Sequence, residues 1–141
     1  MSKKRRKPEA YQPNFTLVPE RAPGRNMIRN NILASFPNQN QQRRYWVEMS
    51  TPEFTCVCPA SGFPDFATIS IRYIPRKECV ELKSLKLYIN SFRDVGIFHE
   101  DVVNRILDDL VALLDPWEME VVGDFSVRGN IKTVVRARHE R

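Results

Sequence analysis

The chain has 141 residues, 42% of them hydrophobic and 28% charged, with a formal net charge of +5. That length suits one domain with a real hydrophobic core, and no apolar run approaches the roughly 20 residues needed to span a bilayer. Its three cysteines cannot close a disulfide framework, and the basic start MSKKRRKPEAYQPNF is not followed by the apolar stretch of a secretory signal, so a reducing cytoplasm is the expected setting.

Residues 1–44 are rich in Pro, Asn, Gln and Arg, with a short apolar island over 27–36. They read as a basic, polar N-terminal arm carrying one short helical or extended segment, and residues 45–141 as the single folded domain. Over 45–58, Tyr45, Trp46, Val47, Phe54 and Val57 predict a strand, with Pro52 marking a break or an edge. SGFPD is turn chemistry. In ATISIRYIP, Ala67, Ile69, Ile71 and Tyr73 alternate with Thr68, Ser70 and Arg72, which predicts a strand with one buried face. Leu85, Tyr88, Ile89 and Phe92 recur at helical spacing. Val102, Val103, Ile106, Leu107, Leu110, Leu113 and Leu114 form a broad apolar stripe on a second helix, closed by Pro116. MEVVGDFSV and IKTVVRAR read as two strands joined around Arg128-Gly129-Asn130, a hairpin turn. The order β-β-α-α-β-β implies an α+β fold: an antiparallel sheet of hairpins with both helices on one face. Its edge strands need partners, so oligomerisation is expected.

Much of the positive charge lies at the ends, in Lys3, Lys4, Arg5, Arg6 and Lys7 and in Arg136, Arg138 and Arg141. Such ends read as solvated tails, which leaves an anionic substrate or cofactor as the functional use of the remaining basic residues.

Candidate chemistry begins at FTCVCPASGFPD. Cys58 precedes a proline at a strand end, where loops commonly present functional groups, whereas Cys56 and Cys79 read as small buried packing residues. Asp65 follows in the turn, where aspartate also serves the backbone. His99-Glu100 opens the second helix, where a glutamate meets the helix dipole favourably. Cys58, Cys79 and His99 lack any standard zinc spacing, so no metal site is expected. In CVELKSLKLYINSFR, Glu81, Lys83, Ser84 and Lys86 gather at a strand-to-helix junction, where free backbone N–H groups and lysines make an anion site. No G-x-G-x-x-G is present, so a nucleotide would not be held in the Rossmann manner.

ELKSLKLY followed by SFR, CP with an aspartate seven residues after the cysteine, and FHED, together and in this order, resemble the 7-cyano-7-deazaguanine reductases. These are the QueF-type nitrile reductases of queuosine tRNA-modification biosynthesis, and the chain is similar to their single-module form. The resemblance runs from about Phe54 to Gly129. It implies the tunnelling fold, with subunits joined into rings whose sheets form a barrel, a decamer of two stacked pentamers, and sites between subunits. It implies NADPH-dependent reduction of the nitrile of 7-cyano-7-deazaguanine to an aminomethyl group through a covalent cysteine thioimide. Cys58 then matches the nucleophile and Asp65 the proton donor. His99 and Glu100 match substrate contacts, with His99 assisting in positioning or proton transfer and Glu100 accepting from a guanine-like edge. Val80, Glu81 and Leu82 match a substrate-binding segment. Lys83 and Ser84, with Lys86 nearby, match the NADPH motif, and Arg128 and Gly129 a second cofactor contact. Leu82 stands where serine is common, and Phe63 where glutamine is frequent. No membrane and no direct nucleic-acid partner is implied.

Two other readings compete with this one. A pterin- or purine-acting tunnelling-fold enzyme of the cyclohydrolase kind would share the base-anchoring glutamate but would need a Cys/His zinc site. A non-enzymatic RNA-binding module would use the basic ends, yet it leaves Cys58, Asp65 and His99-Glu100 unexplained, and no aromatic RNP-like motif accompanies it.

Overall fold

Alternation along 67–73 determines how the sheet faces its helices. In the computed structural model, which describes residues 28–141, Ala67, Ile69, Ile71 and Tyr73 are all buried, while Phe66 and Ser70 on the opposite face are exposed. They belong to β3 (Pro64–Ile74), which pairs antiparallel with β2 (Val47–Val57) on one side and β5 (Glu118–Arg128) on the other. β6 (Ile131–Glu140) extends β5, so the four-stranded antiparallel sheet has the order β2-β3-β5-β6. Helices α1 (Leu82–Asn90) and α2 (His99–Leu114) come between the two hairpins in sequence. The α+β class is therefore as expected, and the β-β-α-α-β-β order holds for the two helices and the strands of this sheet.

β2 is an edge strand, and its register shifts between Thr51 and Phe54, placing Pro52 in a one-residue bulge. An edge bulge is where a residue without an N–H is tolerated. The β5–β6 turn uses Gly129 and Asn130, both with positive φ (55° and 67°). That is the backbone of a two-residue hairpin turn matched to strand twist.

α2 carries Glu100 and Asp101 in its first turn and buries Val102, Val103, Ile106, Leu107, Leu110 and Leu114. Leu113 is only half-buried. The helix ends at Asp115, in the left-handed region with φ 42°, because Pro116 follows and disfavours helical backbone before it. α1 is capped by Glu81 and buries Leu85, Tyr88 and Ile89. Phe92 lies just beyond its end but remains fully buried, its ring centroid 5.8 Å from that of Phe54 and 5.3 Å from that of Tyr88.

Three features depart from expectation. A second small sheet pairs β1 (Ser35–Pro37) with β4 (Glu78–Val80), antiparallel. Residues 28–44, expected within the arm, include Ile28 in the core, a 3-10 turn at Asn30–Ile32 and strand β1; residues 1–27 lie outside the described residues. Strands as short as β1 and β4 carry too few residues to show a period. The C-terminal arginines, expected in a solvated tail, belong to an ordered edge. Arg136 and Arg138, together with Arg72, surround the buried Glu120 on the outer sheet face, and Arg141 pairs with Asp115.

Gly123, in the middle of β5, is needed for packing. A Cβ there would stand 2.6 Å from Val103 Cγ2 and 2.7 Å from Phe125 Cε2. Gly123→Ala should therefore lower unfolding free energy by about 1–3 kcal/mol, the usual cost of overpacking a filled core. Urea denaturation checks this, and an unchanged midpoint would contradict it.

Candidate active site

Hydrogen bonds at one end of the sheet draw several candidate residues together. Val57, the last residue of β2, donates its N–H to Val95 O at 2.9 Å and accepts from Ile97 N–H at 3.1 Å. The segment leading into α2 is thereby fastened to the strand end that presents Cys58. Cys58 N–H in turn donates to Phe63 O and Gly62 N–H to Cys58 O, both at 2.8 Å. This tight loop depends on Gly62 at φ 74°. Pro59 supplies no N–H for further strand pairing, so the chain turns there and leaves Cys58 half-buried. Cys56 is directly opposite Asp65 across the hairpin. Cys58 is thus the diagonal neighbour of Asp65, with Cα atoms on the order of 7–8 Å apart.

Asp65 is the centre of the arrangement. Its side chain is only 6% exposed, yet it faces two nitrogen groups: His99 Nε2 lies 3.1 Å from Oδ2 and Arg128 Nη1 3.0 Å from Oδ1. Arg128 also donates to Pro64 O at 2.7 Å. A buried carboxylate is tolerated only with such partners. His99 is the first residue of α2, and its ring stacks on Phe125 with centroids 3.7 Å apart and planes 10° from parallel. Glu100 follows on the exposed side of the helix. Four elements therefore converge: the end of β2, the start of β3, the start of α2 and the end of β5.

Cys56, two residues before Cys58, is fully buried with Sγ 3.9 Å from Ile97 O. Burial pushes its thiol up to about 12, and the neighbouring Asp65 and Cys58 add to the effect. Cys79 is buried in β4, with the Tyr45 hydroxyl 3.8 Å from its sulfur. All three thiols are free. Since only the thiolate reacts, iodoacetamide at neutral pH should label Cys58 and spare Cys56 and Cys79 in the native protein. Peptide mass mapping checks this, and equal labelling of Cys56 would contradict the burial.

The second group of candidates lies elsewhere. Val80 N–H donates to the Tyr73 hydroxyl at 3.0 Å, which puts Val80 beside the opposite end of β3 from Asp65. At a strand rise of ~3.3 Å per residue, Asp65 and Tyr73 are on the order of 26 Å apart. Glu81 caps α1 by accepting from Lys83 N–H at 2.8 Å and Ser84 N–H at 2.7 Å. The Ser84 bond, then the Lys83 bond, hold its carboxyl below the ordinary range. Ser84, expected at the cofactor, is buried: its hydroxyl accepts from Ala34 N–H at 2.9 Å and donates to Glu81 O at 2.8 Å. Lys83, Lys86 and Leu82 are exposed. Lys86 and Arg93 line a cavity of about 770 Å³ beside the Pro52 bulge, with Phe66 on its wall.

Cys58, Asp65, His99 and Arg128 are therefore brought to one end, with Glu100 adjoining; Val80 lies at the other end of β3, while Leu82 lines a cavity with Ile69 and Ile71 and Lys86 one with Phe66, the residue after Asp65. Sequence reasoning missed Phe125 as the support beneath His99. Gly123 was an available signal, because a glycine inside a strand marks a close approach.

A family model described as QueF-like protein matches residues 64–141. The NADPH-dependent 7-cyano-7-deazaguanine reductase of Anaeromyxobacter dehalogenans (strain 2CP-C) is 64% identical over 107 residues, which cover 76% of this chain and 88% of that protein. The enzyme of the same description from Thermosynechococcus vestitus (strain NIES-2133 / IAM M-273 / BP-1) is 52% identical over 124 residues, 88% of this chain and 94% of its own length. Among solved structures, the apo crystal structure of the archaeosine synthase QueF-Like superposes with a TM-score of 0.62 at 27% identity. That match covers 66% of this chain and 91% of the other.

Proposed function

Because the chain belongs to the QueF-like family and is most of the length of its 7-cyano-7-deazaguanine reductase relatives, we propose that it reduces the nitrile of 7-cyano-7-deazaguanine to an aminomethyl group at the expense of NADPH. The observation that carries this reading is Asp65, held between His99 and Arg128 beside Cys58. The pathway served is queuosine modification of tRNA, in the cytoplasm; among the described residues no helix is long and apolar enough to cross a membrane.

Addition of a thiol to a nitrile is neutral in protons. The Cys58 sulfur bonds to the nitrile carbon, one carbon–nitrogen π bond breaks, and the nitrogen takes up one proton. Asp65 can accept the Cys58 proton and deliver it to that nitrogen, so a carboxylate in the resting site is the species required. His99 Nε2, 3.1 Å away, keeps the carboxylate aimed and can resupply its proton. NADPH supplies the hydride that reduces the thioimide carbon, and a second NADPH the hydride that reduces the imine left after Cys58 departs. Nitrile to amine therefore consumes two equivalents. Lys83 and Lys86 are the exposed cations offered to the cofactor's phosphates.

The position of Val80 against Tyr73, on the order of 26 Å along β3 from Asp65, supports sites completed by a second subunit. The outer edges of β2 and β6, which no strand among the described residues pairs, support ring closure through sheet pairing, as in the tunnelling-fold barrel of two stacked pentamers.

Mixing protein, NADPH and 7-cyano-7-deazaguanine tests the proposal. Absorbance at the nicotinamide band should fall by two equivalents of NADPH per nitrile, and no oxidation would refute it. Glu100→Ala should weaken substrate binding by about 1.5–3 kcal/mol, through loss of a charge-assisted acceptor for the base edge, with NADPH affinity unchanged. Calorimetric titration of each ligand separates the two, and the reverse pattern would move Glu100 to the cofactor.

A further inference from the structure

Resting on the NADPH reading just given, we infer that the cavity beside the Pro52 bulge takes the 2′-phosphate that distinguishes NADPH from NADH, and that Arg93 holds it together with Lys86. The cavity, about 770 Å³, has both cations on its lining, with Asn90 and Thr55 as further polar groups and Phe66 as an aromatic wall. Lys83, Lys86 and Asn90 recur at helical spacing along α1, and Arg93 continues that line past the helix end. Neither Lys86 nor Arg93 is in an ion pair among the described residues, whereas Arg72, Arg76, Arg105, Arg128 and Arg136 all are.

The backbone that carries Arg93 is anchored on both sides. Phe92 before it and Val95 after it are fully buried, and Arg93 N–H donates to Asn90 O at 3.2 Å. Val95 O accepts from Val57 N–H at 2.9 Å, which ties this turn to the strand end that presents Cys58. Arg93 itself is exposed, so a fixed turn presents an unpaired guanidinium to the cavity. A phosphate monoester carries close to two negative charges at neutral pH and three acceptor oxygens. It therefore suits two converging cations, one of them a planar fork. Lys83, a turn earlier and outside the cavity lining, remains for the pyrophosphate. Glu53, the one carboxylate on the lining, repels the same anion.

Fluorescence titration of the whole protein with NADPH and with NADH, in the absence of nitrile, compares two ligands that differ by that one phosphate. Wild type should bind NADPH more tightly. Arg93→Ala should weaken NADPH by roughly 10- to 100-fold, as for loss of a charge-assisted contact, with NADH within about twofold of wild type. Arg93→Lys should recover part of the loss, because an ammonium keeps the charge but not the fork. Glu53→Gln should tighten NADPH by roughly two- to fivefold and leave NADH unchanged, a gain that no folding defect can imitate. Equal wild-type affinity for the two dinucleotides, equal losses for both in Arg93→Ala, or unchanged NADPH binding in that variant would overturn the inference. If the NADPH preference depends on Arg93 but no NADPH is oxidised with 7-cyano-7-deazaguanine, the nitrile-reduction reading fails and the phosphate site stands.

Discussion

Cys58→Ala should abolish nitrile reduction while leaving the fold and substrate binding in place. The side chain is half-buried at a strand end and makes no side-chain hydrogen bond among the described residues, so its removal opens no core cavity. Chemically it removes everything, because without a sulfur–carbon bond the nitrile is not converted into the thioimide that accepts hydride. Serine should not rescue it, since a hydroxyl is far less ionised than a thiol at neutral pH. Cys56→Ala makes the matched control. That thiol is pushed up to about 12 by burial and faces Ile97 O, so its loss should leave most activity and cost only stability. NADPH oxidation and thermal denaturation on both variants check the pair. Residual turnover in Cys58→Ala above that of a heat-treated blank would contradict the assignment.

Asp65→Asn should slow the chemical step by roughly two to four orders of magnitude, the range for loss of a positioned acid–base group. The amide keeps the shape of the carboxylate and one acceptor oxygen for Arg128 or His99, but it can neither take the Cys58 proton nor pass it on. Substrate affinity should change little, which separates this variant from Glu100→Ala. Because Asp65 is buried with two cationic or hydrogen-bonding partners, removing its charge also leaves Arg128 unpaired, and some loss of stability is expected alongside. Single-turnover kinetics at saturating substrate measure the step itself. Near-normal turnover in Asp65→Asn would remove it from the mechanism.

The long, strongly periodic elements were legible in the sequence. The β3 alternation, the α2 stripe and the β5–β6 turn each depend on residues within a few positions of one another, where a side-chain period or a Gly-Asn pair is enough. β1 and β4 were not legible, because among the described residues they pair only with each other and they lie about forty residues apart. The motifs pointed to Cys58, Asp65, His99 and Glu100, but not to how they are held. Stacking of Phe125 under His99 and the grip of Arg128 on Asp65 come from pairing β3 with β5 and from the phase of one bulge. The motif likewise did not report that the segment before β1 reaches the Ser84 hydroxyl through Ala34 N–H. A period describes a face; it does not report which other segment arrives to occupy it.

The most direct test of a nucleophilic Cys58 is mass spectrometry of wild-type protein incubated with 7-cyano-7-deazaguanine and no NADPH, followed by peptide mapping. The expected result is a gain of one substrate mass per chain on the peptide containing Cys58, absent from Cys58→Ala and discharged when NADPH is added. An adduct mapped to Cys56 or Cys79, or NADPH-dependent reduction proceeding with no adduct on any cysteine, would contradict it.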